Sequence, residues 1–92
     1  MALTRAQFVT QFPEFAQTDT SLVDAELSKA EARMSTTVWG DLFDEGHGNL
    51  TADALASKGY GSKEVGKDGL TAYRRAYNDL EERVGLNHLA VV

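Results

Sequence analysis

Val38-Trp39-Gly40-Asp41-Leu42-Phe43-Asp44 decides the fold. It holds the only Trp of the chain, a glycine directly after it, and an acid placed to cap a new helix. Gly40 predicts the end of one helix, and Asp41 the N-cap of the next. Working outward, apolar residues recur at helical spacing on both sides. Val23, Leu27, Ala30 and Met34 form one stripe before the junction, widened by Leu22 and Ala25. The Thr18-Asp19-Thr20-Ser21 run is rich in N-cap residues, so the spacing predicts a helix from about Asp19 to Thr37. After the junction, Leu42, Phe43, Leu50, Ala54 and Leu55 mark a third helix, with Asp44 and Glu45 in a first turn that favours acids. Gly46 and Gly48 lie inside this pattern, and each costs up to about 1 kcal/mol relative to Ala. A single helix running through both is the preferred reading, with close approach to another backbone, such as a neighbouring helix, as the reason. A helix beginning only after Gly48, capped by Asn49, is the alternative.

Nearer the start, Thr4 and Gln7 fit a capping box, and a helix of about two to three turns follows until Pro13 stops it. Phe15 must then find an apolar home against the second helix. Leu70, Tyr73, Tyr77, Leu80 and Val84 give the cleanest amphipathic stripe, with Gly85 predicted as its stop. Residues 57–69 hold Gly59, Gly61, Gly66 and Gly69, half the glycines of the chain, and predict a long loop. The tail Leu86-Asn87-His88-Leu89-Ala90-Val91-Val92 is apolar and carries no formal charge. The expectation is all-α: a small bundle of about four helices at 1–85, a Gly-rich loop before the last, and an extended C-terminal docking tail at 86–92.

Composition narrows the function. The chain has 92 residues, no Cys and a net charge of −5. A single domain of this size folds alone only marginally. No stretch reaches the length of a membrane span or the apolar core of a signal peptide, which predicts a soluble protein made in the cytoplasm. Residues 1–56 carry −6, residues 57–69 carry +1, and residues 70–92 are neutral. An acidic body argues against sequence-specific DNA binding. Three of the four lysines are Lys58, Lys63 and Lys67, in the Gly-rich stretch. A solvated loop is the simpler reading; a contact with a neighbouring subunit, an acidic partner or passing DNA is the sharper one.

Catalytic chemistry finds little to use. Asp44 and His47, spaced i, i+3, could share a metal, but no second His–acid pair completes a site, so His47 is expected at the surface and no metal or cofactor is expected. His88 is expected to be a contact or solvent residue. There is no Cys nucleophile, no Ser elbow and no phosphate loop; Gly59-Tyr60-Gly61-Ser62-Lys63 lacks the spacing of one. So small a chain is expected to have little room for a pocket of about 300 Å³, and an enzyme is not expected. The apolar residues Leu86, Leu89, Val91 and Val92 suggest docking on a partner, with folding back on the chain's own core as the alternative.

Phe8-x-x-x-Phe12-Pro13-Glu14-Phe15, Asp19-x-x-Leu22 and Trp39-Gly40-Asp41-Leu42-Phe43-Asp44, in that order and spacing, resemble the head–tail connector (adaptor, or head-completion) proteins of tailed bacteriophages. The likeness runs from about residue 5 to residue 56 and, more loosely, over the last helix. It implies an α-helical fold, no enzymatic activity, and a homo-oligomeric ring, commonly of about twelve copies. The ring would sit beneath the portal protein in the neck of the virion, above a tail or stopper protein, with DNA passing through it. Phe12, Pro13, Phe15, Trp39, Gly40 and Asp41 would be its structural junctions. A small helical protein–protein interaction or regulatory module, and a DNA-binding helical domain using Lys58, Lys63, Lys67, Arg74 and Arg75, are the competing readings.

Overall fold

Most helices begin where the sequence supplies a cap. In the computed structural model, which describes residues 3–60 and 71–91 with side chains through position 85, every regular element is helical. Helix α1 spans Arg5–Gln11, with Thr4 accepting from the Gln7 backbone N–H while the Gln7 side chain accepts from that of Thr4. A 3-10 turn at Pro13–Phe15 follows, then α2 at Thr20–Ala32, the single turn α3 at Thr36–Trp39, and a 3-10 turn at Gly40–Leu42. Helices α4, Phe43–Ser57, and α5, Ala72–Val91, complete the chain. Four helices of about two turns or more make the small all-α bundle that the periodicity predicts, and the predicted Gly-rich loop at 57–69 lies largely outside the described residues.

Three boundaries differ from expectation. Asp19 does cap α2, accepting from the Ser21 and Leu22 amides at 2.8 and 3.3 Å, but α2 ends at Ala32 rather than Thr37. Ser35 caps a new turn there, its hydroxyl accepting from Val38 N–H at 3.3 Å, so the β-branched Thr36-Thr37-Val38 run begins α3. Asp41 is not a side-chain cap: it sits inside the 3-10 turn, and α4 starts at Phe43 without any side-chain cap. Gly85 does not stop α5, which continues as helix to Val91, so Leu86–Val91 prolong a helix instead of forming an extended tail. Gly40 does end its helix; its φ of +52° is a backbone state that favours glycine.

Helix α4 is central, with α2 and α5 packed against it. One cluster, Ala30, Met34, Trp39, Phe43, Leu50, Tyr77, Leu80 and Val84, joins α2, α3, α4 and α5. The other, Leu3, Phe8, Phe15, Val23, Leu27, Ala52 and Leu55, holds the N-terminal segment against α2 and α4. The two glycines of α4 lie where these clusters press on it. A Cβ on Gly46 would lie 2.9 Å from Met34 Cε and closer still to the Trp39 ring edge. One on Gly48 would lie 2.9 Å from Phe12 Cε2 and 3.1 Å from Leu3 Cδ1. Helix α4 therefore runs unbroken through both glycines, and what approaches it is aromatic and aliphatic side chains rather than another backbone.

Candidate functional site

The residues that carry the resemblance lie at the joints of the fold. Phe8 stacks tilted on Phe12 and Phe15, with ring centroids 5.2 and 5.4 Å apart. Phe12 and Phe15 both meet Tyr73 of α5, at 5.7 and 5.8 Å. Pro13 opens the 3-10 turn that carries Phe15 into the core against Val23 and Leu27 of α2, as expected. The Tyr73 hydroxyl donates to the Glu14 carboxylate and so ties that turn to α5. Trp39, buried, stacks on Tyr77 at 5.3 Å and an interplanar angle of 28°, and the Arg74 guanidinium lies 5.3 Å from the Tyr77 ring centre. Burial pushes the Tyr77 phenol above its ordinary pKa; the Glu81 carboxylate adds to this, while Arg74 and Arg33 pull the other way. Phe12, Phe15 and Trp39 thus hold helices to one another, Pro13 and Gly40 turn the chain between them, and Asp41 is an exposed turn residue.

His47 is fully buried, contrary to the expected surface position. Its Nδ1 accepts the Leu3 backbone N–H at 3.1 Å, which leaves the ring hydrogen on Nε2, and Nε2–H donates to the Leu27 carbonyl at 2.7 Å. The ring joins the N-terminal segment, α2 and α4. Both nitrogens are occupied, so the Asp44–His47 metal pair does not form, and no group of three metal-ligating side chains occurs among the described residues. The sequence carried a signal for this burial: Phe43, His47, Leu50 and Ala54 fall at i, i+4, i+7 and i+11, on one helical stripe.

Among the described residues, a sizeable concavity that mixes charge with apolar lining lies between α2 and α4. It is an open groove of about 420 Å³, larger than chain length led us to expect. Ala30, Leu50 and Ala54 form its apolar lining, and Lys29, Arg33 and Lys58 contribute cations. Glu26 is the sole acid lining it, only 4 % exposed, with Lys58 Nζ at 3.0 Å and Lys29 Nζ at 3.5 Å. Burial alone would raise the Glu26 pKa, but the two ammonium groups outweigh it and hold the carboxyl below its ordinary value. Lys58, expected in a contact loop, is thus committed to an ion pair at the end of α4. Arg33 has no ion pair among the described residues.

Lys63 and Lys67 lie outside the described residues, as do the side chains of Leu86, Leu89, Val91 and Val92. No helix among the described residues is long and apolar enough to cross a membrane. Comparison with known protein families, characterised proteins and solved structures finds no match to this chain.

Proposed function

We propose that the protein is a structural head-to-tail connector of a tailed bacteriophage, a subunit of a ring that docks on the portal and joins capsid to tail around the DNA channel. The proposal rests on the resemblance of the Phe-Pro-Glu-Phe and Trp-Gly-Asp segments. It is supported by the all-α fold and by the position of those segments at the joints of the bundle. The observation that carries it is α5. At 20 residues this helix is about 30 Å long, and its last turns carry Leu86, Leu89 and Val91, with Val92 next in sequence. An apolar helix end suits insertion into a groove of a larger partner, and the helical form of this segment favours that mode over strand addition.

Charge fits the same role. A ring of about twelve subunits at −5 each would carry about −60, and an acidic lumen would repel phosphate, so that DNA slides without sticking. The subunit would be made in the host cytoplasm and end in the neck of the virion, between the portal and a tail or stopper protein. The test is removal of residues 86–92. The truncated chain keeps its helical circular dichroism and its unfolding free energy to within about 1 kcal/mol, since the described core through Val84 remains. It loses binding to purified portal. Unchanged portal affinity in the truncated protein refutes the docking role.

A further inference from the structure

We propose that the groove between α2 and α4 receives helix α5 of a second copy of this chain, with Glu82 of the incoming helix meeting Arg33 at the groove's cationic rim. The inference rests on the ring reading above and names the surfaces that would join neighbouring subunits.

Three observations carry it. The first is charge: three cations and one carboxylate line the groove, and that carboxylate already engages Lys29 and Lys58. Arg33, exposed at the C-terminal end of α2, is left to meet an anion from outside. In a chain of net −5 this is an unusual local surplus of positive charge, and the nearest abundant source of matching carboxylates is another copy. The second is shape: the groove floor is the buried Ala30 and Leu50 with the small, half-buried Ala54, so no bulky side chain fills it and a helix can approach closely. A free anion such as inorganic phosphate would satisfy the cations but fill only part of a groove of about 420 Å³. The third is the exposed side of α5. Tyr77, Leu80 and Val84 face the core, while Asn78, Asp79 and Glu82 are exposed. Asp79 is taken by Arg83 at 2.9 Å, whereas Glu82 has no ion pair among the described residues.

The placement also suits a ring. Helices α2 and α5 each pack on α4, so the groove and the exposed side of α5 are different surfaces of one subunit. A contact between two different surfaces is heterologous, and repeated around an axis it does not stop at a dimer but builds a ring where the rotation closes. Glu82 lies before residue 86, so the neighbour contact and the portal contact use successive parts of the same helix.

A charge-swap experiment on the full chain tests the inference, with self-association followed by sedimentation velocity both alone and in the presence of portal. Arg33→Glu and Glu82→Lys each weaken assembly by about tenfold or more, and the double variant recovers to within about threefold of wild type. Arg33→Gln and Glu82→Gln give smaller losses and reduce the salt sensitivity of assembly. Both positions are exposed, and circular dichroism verifies that each variant is folded. Wild-type assembly in either single variant, or a double variant that stays as weak as the singles, overturns the groove contact while leaving the ring reading intact. A wild-type chain that is monomeric both alone and on portal overturns the ring reading and this inference with it.

Discussion

Replacing Gly46 by Ala should destabilise the protein, although glycine-to-alanine changes inside helices ordinarily stabilise. The propensity gain is about 1 kcal/mol. Against it stands the space around the new methyl, 2.9 Å from both Met34 Cε and Trp39 Cε3, where carbon–carbon contacts sit comfortably at about 3.5–4.0 Å. The Met34 methyl ends a flexible chain and can move aside. Trp39 cannot do so cheaply: its ring is stacked on Tyr77, and its backbone belongs to the Ser35-capped turn. Overpacking of this kind costs about 1–3 kcal/mol. A net loss of up to about 2 kcal/mol follows, which lowers the urea midpoint by up to about 1 M for a domain of this size. Gly85→Ala is the control. Gly85 lies inside α5, exposed, with nothing within 4 Å of an added Cβ, so the same change raises the midpoint by about 0.5 M. Trp39, the only tryptophan and buried, reports both transitions by fluorescence. If Gly46→Ala raises the midpoint as Gly85→Ala does, the close approach of Trp39 to α4 is wrong.

Two further outcomes follow from buried polar groups. His47→Ala leaves the Leu3 N–H without its acceptor and empties a ring-sized volume, for a loss of about 3–4 kcal/mol, while His47→Gln, able to donate to the Leu27 carbonyl, loses about half as much; urea titrations check both. For Glu26 the folded-state pKa lies below the unfolded one, so its contribution to stability is present above the ordinary carboxylate value and is lost as pH falls through the lowered folded-state value. Thermal unfolding of Glu26→Gln should therefore decline less steeply on acidification than that of wild type, and parallel profiles for the two proteins contradict the assignment.

Local chemistry was legible in the sequence wherever one residue type has one use. The Thr4–Gln7 box, the Asp19 cap, the stop at Pro13 and the turn at Gly40 all appear where their side chains or ring constraints demand. Readings failed where two local signals competed. Thr36-Thr37-Val38 reads as a weakening helix end, but Ser35 directly before it can cap a fresh turn, and that turn points Trp39 into the core. Asp41 has the right side chain for a cap, yet Gly40-Asp41-Leu42 tightens into a 3-10 turn and α4 starts two residues later. Gly85 has no proline after it and faces solvent, where a helical glycine costs little enough for α5 to continue. His47 was misplaced because polarity outweighed its position on the Phe43–Leu50 stripe. The α2–α4 groove could not be read at all, since Glu26 and Lys58 are far apart in sequence and only packing brings them to 3.0 Å.

The most direct measurement is an image of what the purified chain makes on its portal. Electron microscopy of portal mixed with the full-length protein, with particle mass read in parallel by native mass spectrometry, should reveal an added closed ring of about twelve copies around a central hole. Portal particles without added density, beside a chain that stays a stable 10.0 kDa monomer at every concentration, contradict the account.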